Sequence, residues 1–278
     1  MTVAADALAR QLEEAYASRR IVPPPSSQLP GFDLAAAYAS ERAHARRRVA
    51  EGRRVVGRKV GYANKALWRL LKLDAPLWAS MYDDTVVHAG NTVARLAVDR
   101  MISPKIEPEI VFKLKAPPAA DAADAAGVLG AVEWLAPGFE IVDCPFPGWT
   151  LLPADFVAAF GLHAALIVGE PRAVEAHAIP DLAAQLARFT VKLLQNGVMT
   201  AEGSGRNVLR SPALCLGELA TAISRQPQAA PLAVGELIST GSLTDAAPIA
   251  PGEVWTMVAE GIELAPLTLE LTSGPAAG

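Results

Sequence analysis

Cysteine is nearly absent. Cys144 and Cys215 are the only two in 278 residues, far apart and in no metal-ligand spacing. A disulfide framework is therefore excluded and a reducing, cytoplasmic setting is expected. Long apolar runs are also missing. None approaches the ~20 residues of a membrane span, and the opening MTVAADALARQLEE lacks the basic flank and apolar core of a secretion signal. Neither sign of charge dominates: the formal net charge is -4 and the pI near 5.6, which gives no global reason to expect nucleic acid or an anionic membrane as partner. There are no internal repeats. What remains is 51% hydrophobic and 19% charged, the composition of a globular chain with a large core.

Helical spacing of Leu8, Leu12, Ala15 and Tyr16 predicts a helix over residues 3–20, stopped by Pro23, Pro24 and Pro25. Asp33 is a good N-cap for a second helix ending near Gly52. Arg42, Arg46, Arg47 and Arg48, with Arg53 and Arg54 beyond, form a basic cluster without interleaved aromatics, read as a solvated face. RRVVGRKVGYA (53–63) reads as a strand in which Gly57 and Gly61 flank Arg58 and Lys59. Such a lysine is either a surface snorkeler or an acid/base group tuned by its surroundings. Asn64 caps a short helix, and residues 85–94 read as a hairpin around Ala89-Gly90-Asn91. A loop at 116–126 leads into a helix presenting Val128, Val132 and Leu135. Asn196-Gly197 marks a type I′ hairpin over 190–202, and Ser211-Pro212 opens a helix to about Ser224. Three strands, 236–240, 254–259 and 262–271, complete the pattern.

The chemistry concentrates in KIEPEIVFKL, residues 105–114. Its apolar and β-branched content predicts a strand, and side chains two apart on a strand share a face. Glu107 and Glu109 therefore project side by side from a segment otherwise suited to burial. Two adjacent carboxylates repel, and burying either is costly unless a cation compensates. Pro108 between them places this point at a sheet edge or bulge. Glu140, in GFEIVDC, is a third carboxylate in apolar strand company, where such groups are rare unless paired.

Together these stretches resemble the hydratase/decarboxylase branch of the fumarylacetoacetate hydrolase superfamily. The matching segments are GRKVGYANKA (57–66), the Asp83-Asp84 loop, KIEPEIVFKLKAP (105–117), GFEIVD (138–143), Trp149 to Asp155, the Asn-Gly hairpin and STGSLTDAAPIAPGE (239–253). Each is weak alone, and seven in order are strong. The resemblance implies an α+β fold. A helical N-terminal subdomain (1–79) would precede a mixed β-roll catalytic domain (80–272), with a frayed tail at 273–278. It implies Mg2+ or Mn2+ on Glu107, Glu109 and Glu140, since three carboxylates suit a hard divalent cation. Lys59 would be the acid/base group and Asp84 would orient substrate or water. Asp155, Phe160, Leu162 and Thr240 would bind substrate.

One departure stands out. Where relatives carry polar Asp-Asn-Ala-Ser after the shared aspartate, this chain reads Ala159, Phe160, Gly161, Leu162 and then His163. His163 is thus either a replacement catalytic acid/base or a core histidine. The implied activity is a metal-dependent lyase on short unsaturated 2-oxo acids, hydrating 2-hydroxypenta-2,4-dienoate, as a homo-oligomer with neither nucleic acid nor membrane as partner. A decarboxylase of 2-oxohex-3-enedioate is the runner-up. A C–C hydrolase and a non-catalytic, complex-stabilising relative follow.

Overall fold

The computed structural model describes residues 2–119, 124–226 and 228–274. Residues 2–50 carry three helices and no strand: α1 (Thr2–Ala17), α2 (Pro25–Gln28) and α3 (Leu34–Ala50). Asp33 caps α3, its carboxylate accepting the Ala36 N–H at 2.9 Å. The expected basic face is largely paired. Arg47 meets Glu13 of α1 at 2.7 Å, Arg46 meets Asp6 at 3.7 Å, and Arg48 meets Asp84 at 2.5 Å. The first two contacts and the buried Ala9, Leu12, Ala37 and Ala43 fasten α1 to α3, and the third ties α3 to the turn after residue 82.

The rest is dominated by strands. In chain order they are β1 (Val55–Gly61), α4 (Lys65–Leu71), β2 (Leu77–Tyr82), β3 (Val86–His88), β4 (Val93–Ala97), β5 (Pro104–Leu114), α5 (Ala125–Leu129), β6 (Val132–Asp143), α6 (Pro153–Ala158), β7 (His163–Val168) and β8 (Arg172–Ala173). Then follow α7 (Ile179–Leu186), β9 (Thr190–Gln195), β10 (Val198–Ser204), α8 (Pro212–Ser224), β11 (Leu237–Ser239), β12 (Ala247–Pro248), β13 (Val254–Glu260) and β14 (Leu267–Thr272). Among the described residues the strands form two sheets. One runs β2-β1-β11-β5-β6-β7-β3, with β12 added to β5 and β8 to β6, and the other runs β10-β9-β13-β14-β4.

The large sheet curls into a roll. Met81 of β2 shares one buried apolar cluster with Leu166 and Val168 of β7. Those strands are five positions apart in the sheet order, about 24 Å if it were flat. The concave face so enclosed is where the functional groups gather. The expected mixed β-roll with a helical N-terminal segment is thus what the chain forms. No described helix is long and apolar enough to cross a membrane.

Several local expectations need correction. The boundary at 79 falls inside β2, and β1 and β2 are members of the large sheet, so the helical segment ends at Ala50. The hairpin at 85–94 does not form: β3 pairs in parallel with β7, and β4 in parallel with β14 of the other sheet. Val132 and Leu135 lie in β6, not on a helix, because an unbroken apolar run fits a doubly buried strand as well as a helix face. Pro108 is neither at an edge nor at a bulge. β5 is interior and its ladder with β6 is regular there. Its other neighbour is interrupted between β11 and β12, and the Pro108 carbonyl accepts the Leu243 N–H of the intervening loop at 2.8 Å. A missing donor costs nothing where the ladder already lapses. Asn196 (φ 51°) and Gly197 (φ 80°) make the expected turn between β9 and β10. Of the expected tail, residues 275–278 lie outside the described residues.

Candidate active site

Strand register assembles the carboxylates. Glu107 of β5 is directly opposite Glu140 of β6, and Glu109 follows two residues along on the same face. Carboxylate oxygens of all three lie within 4.8 Å of one another. Glu109 and Glu140 are fully buried, while Glu107 opens onto a cavity. The curl then brings Lys59 of β1 over the cluster, its Nζ 3.0 Å from Glu140 Oε2.

The electrostatics are unbalanced without a further cation. Burial is the largest influence on Glu107, and with Glu140 nearby it outweighs Lys59 and Lys105 to push the carboxyl up to about 7. Glu109 is raised well above the carboxylate range by burial and by its two acidic neighbours. Burial also works against Glu140, but Lys59 and His163 overcome it and hold this group low. For Lys59, burial favours the neutral amine, and the three carboxylates prevail to keep it an ammonium.

The donors fit a divalent metal ion. Glu109 Oε2 accepts from Ser239 Oγ at 2.5 Å and from the Gly241 N–H at 2.8 Å, which fixes the carboxylate, while its Oε1 is buried with no hydrogen-bond partner. A buried unpartnered carboxylate oxygen beside two further carboxylates is a costly arrangement that a hard cation relieves.

Lys59 is held in a shaped slot. The Phe156 ring lies under its Nζ at 4.9 Å from the centroid. Gly61 makes room for that ring, since a Cβ there would sit 2.2 Å from Phe156 Cζ. The cavity above measures about 680 Å3. Its polar base is Lys59 and Glu107, and Trp149, Leu151, Phe156 and Leu162 supply an apolar wall. Asn64, Arg206, Ser242 and Thr244 add polar groups.

The expected site residues divide. Glu107, Glu109, Glu140, Lys59 and Leu162 come together. Asp84 does not: it sits on a turn, bound to Arg48 at 2.5 Å and Arg53 at 3.2 Å. Asp155 is buried, and its oxygens accept from Ser26 N–H (2.7 Å), Ser26 Oγ (2.6 Å) and Leu152 N–H (2.8 Å), leaving it the work of tying α2 to the start of α6. Thr240 turns away and donates to the Ile110 carbonyl at 2.8 Å. Phe160 and His163 line a second cavity of about 410 Å3 against α1 and α3. His163 bridges Glu140 Oε1 (Nδ1, 3.0 Å) and Thr85 Oγ1 (Nε2, 2.9 Å), so it orients a candidate metal ligand and does not face the catalytic cavity. The residues missed were Ser239, Gly241 and Phe156. The signal for Ser239 was its place on a strand, since alternation puts it and not Thr240 on the face of Glu109.

No family model matches the chain. It is 30% identical over 253 residues to a 2-hydroxyhexa-2,4-dienoate hydratase of Comamonas testosteroni, spanning 91% of this chain and 92% of the relative. It is also 30% identical over 263 residues to a 2-keto-4-pentenoate hydratase of Dechloromonas aromatica (strain RCB), spanning 94% and 95%. Among solved structures, 4-oxalocrotonate decarboxylase from Pseudomonas putida G7, complexed with magnesium and adipate, superposes with a TM-score of 0.86. The identity is 25%, and 98% of each chain is covered. A fumarylpyruvate hydrolase from Pseudomonas aeruginosa, in complex with Mn2+ and pyruvate, shares the fold at a TM-score of 0.55 and 17% identity, over 78% of this chain and 89% of that one.

Proposed function

The chain belongs to the hydratase/decarboxylase branch of the fumarylacetoacetate hydrolase superfamily, and from that premise we propose that it is a metal-dependent lyase hydrating 2-hydroxypenta-2,4-dienoate to 4-hydroxy-2-oxopentanoate. The observation that carries this reading is the buried cluster of Glu107, Glu109 and Glu140 beneath the Lys59 ammonium. Mg2+ or Mn2+ on those carboxylates would act as a Lewis acid toward the carboxylate and 2-oxo oxygens of the substrate. Glu109, braced by Ser239 and Gly241, and Glu140, braced by His163, keep the ligand set rigid. Lys59 is the proton carrier. As an ammonium pressed between Glu140 and Phe156 it can protonate C5 and be recharged by the 2-hydroxyl proton, then protonate C3 and be recharged by the water that adds at C4. The apolar wall of Trp149, Leu151, Phe156 and Leu162 excludes bulk water from the substrate's chain, so protons move through Lys59.

That same wall favours a second reading. An apolar wall desolvates a distal carboxylate and releases uncharged CO2, which suits a decarboxylase of 2-oxohex-3-enedioate. Hydration remains the first reading, because polar Asn64, Ser242 and Thr244 also reach the cavity and can hold water. Spectrophotometry of purified protein with Mg2+ tests both: loss of dienoate absorbance with formation of the 4-hydroxy-2-oxo acid is expected. CO2 release from 2-oxohex-3-enedioate without dienoate hydration would replace the hydratase by the decarboxylase. The expected homo-oligomer has an available surface in edge strand β10, where Val198 and Met199 are exposed, and sedimentation velocity measures it.

A further inference from the structure

A short left-handed turn separates the catalytic cavity from the N-terminal helices. Phe160, Gly161 and Leu162 all have positive φ, at 60°, 67° and 58°. Two of the three are not glycine, and such a conformation persists only where its surroundings hold it.

The helices do the holding. The Phe160 ring stacks on His44 of α3, with centroids 3.7 Å apart and planes 16° from parallel. His44 in turn meets Glu13 of α1 through Nδ1 at 2.8 Å, and Arg47 fixes the other oxygen of Glu13 at 2.7 Å. The Tyr16 hydroxyl of α1 lies 3.0 Å from the Asp143 carbonyl and 3.3 Å from that of Ala159, the residue before the turn.

On its other side the turn grips Lys59. A Cβ on Gly161 would lie 2.8 Å from Lys59 Cδ and 2.8 Å from Ala79 Cβ, so the bare backbone packs directly on the lysine stem. Lysine is a flexible four-carbon chain, and a proton carrier must be placed within a fraction of an ångström of its target. Phe156 addresses the ammonium head, and Gly161 is what confines the stem.

We propose that the N-terminal helices serve the active site as a clamp on Lys59, acting through the stack of His44 on Phe160 and the contact of Gly161 with the lysine stem. His44, Phe160 and Gly161 are positioning residues: none needs to touch substrate. This rests on Lys59 being the proton carrier of the proposed reaction.

The test uses the full chain and four variants: Lys59→Ala as reference, Gly161→Ala, His44→Ala and His44→Phe. Turnover and KM are measured with Mg2+ on the dienoate, and Mn2+ binding to the protein alone is titrated calorimetrically. Gly161→Ala should lower kcat about 10–100-fold, with KM and Mn2+ affinity within a few-fold of the parent. His44→Ala should lower kcat about 10-fold in the same pattern. His44→Phe, which keeps a ring on Phe160 but discards the bond to Glu13, should recover most of it. A purely structural role would lower the melting temperature and leave kcat at the parent value, and that result overturns the proposal. So does a rise in KM at constant kcat, which would make the second cavity a substrate site. Equal losses in His44→Ala and His44→Phe would also overturn it, by removing the stack from the chain of contacts. If Lys59→Ala itself retains turnover, the reaction mechanism fails first, and the two failures are told apart by that reference.

Discussion

The concave face of the large sheet carries two regions of opposite character made by the same strands. At its mouth are Glu107 and Glu109 of β5, Glu140 of β6, Ser239 of β11 and Lys59 of β1. On its floor are Val111 of β5, Ala136 of β6, Leu237 of β11 and Met81 of β2, with Leu166 and Val168 of β7. Glu109 and Val111 are two residues apart, as are Ser239 and Leu237, so backbone geometry does not distinguish the regions. What differs is the space above them: the mouth opens into the catalytic cavity, whereas the floor is sealed by its own side chains. A dry floor keeps the local dielectric low, and every charge at the mouth is then strongly felt. The lesson is that the apolar half of the face gives the polar half its chemistry.

The largest expected effect comes from emptying the mouth of its cation. Exhaustive chelation should abolish turnover, and readdition of Mg2+ or Mn2+ should restore it; turnover that survives chelation would falsify the metal assignment. Glu109→Gln should weaken Mn2+ binding at least ~10–100-fold by calorimetry, because it removes a full charge and an unpartnered oxygen from the ligand set.

Next in size is Lys59→Ala, for which turnover should fall ~10²–10⁴-fold with Mn2+ affinity nearly unchanged. Near-normal turnover in that variant would require another proton carrier.

Breaking the floor should leave a different signature. Met81→Ala opens a void under the cluster and should cost about 2–5 kcal/mol of stability in denaturant titration, with metal affinity retained. A large loss of metal binding at unchanged stability would mean that the floor and mouth are one polar unit rather than two regions.

The smallest effect is expected outside the face altogether. Asp84→Asn removes a partner from Arg48 and Arg53 on a partly exposed turn. It should change turnover by less than about twofold, in keeping with the modest worth of surface ion pairs. A tenfold loss of kcat would return Asp84 to the catalytic set.

How much of this was legible beforehand depended on range. The two-residue spacing of Glu107 and Glu109, the Gly-flanked strand bearing Lys59, the caps at Asp33 and Asn64 and the Asn-Gly turn are written in neighbouring residues. Each was placed correctly. The errors arose where a local pattern admits two partners. Residues 85–94 look like two strands around a turn, but β3 and β4 find better partners in β7 and β14. Asp84 and Asp155 are acids in suggestive positions, yet Arg48 with Arg53 and Ser26 with Leu152 use them for structure. For His163 the sequence left two roles open, a replacement acid/base or a core histidine, because local pattern says nothing of what its ring nitrogens meet. Its two nitrogens are committed to Glu140 and Thr85.

The sequence by itself determined which residue types stand two apart on a strand, where helices begin, and that three carboxylates sit in segments too apolar to hold them unpaired. Those features follow from backbone periodicity and from the cost of burying charge, both of which act over a few residues. Only the tertiary structure decided that Lys59 reaches Glu140 across three strand positions, that Ser239 rather than Thr240 steadies Glu109, and that α1 and α3 stand behind the turn at 160–162. The physical reason is the curl of the sheet. It converts positions far apart in sequence into neighbours a few ångströms apart, and a buried side chain's chemistry is set by whichever neighbours that closure supplies.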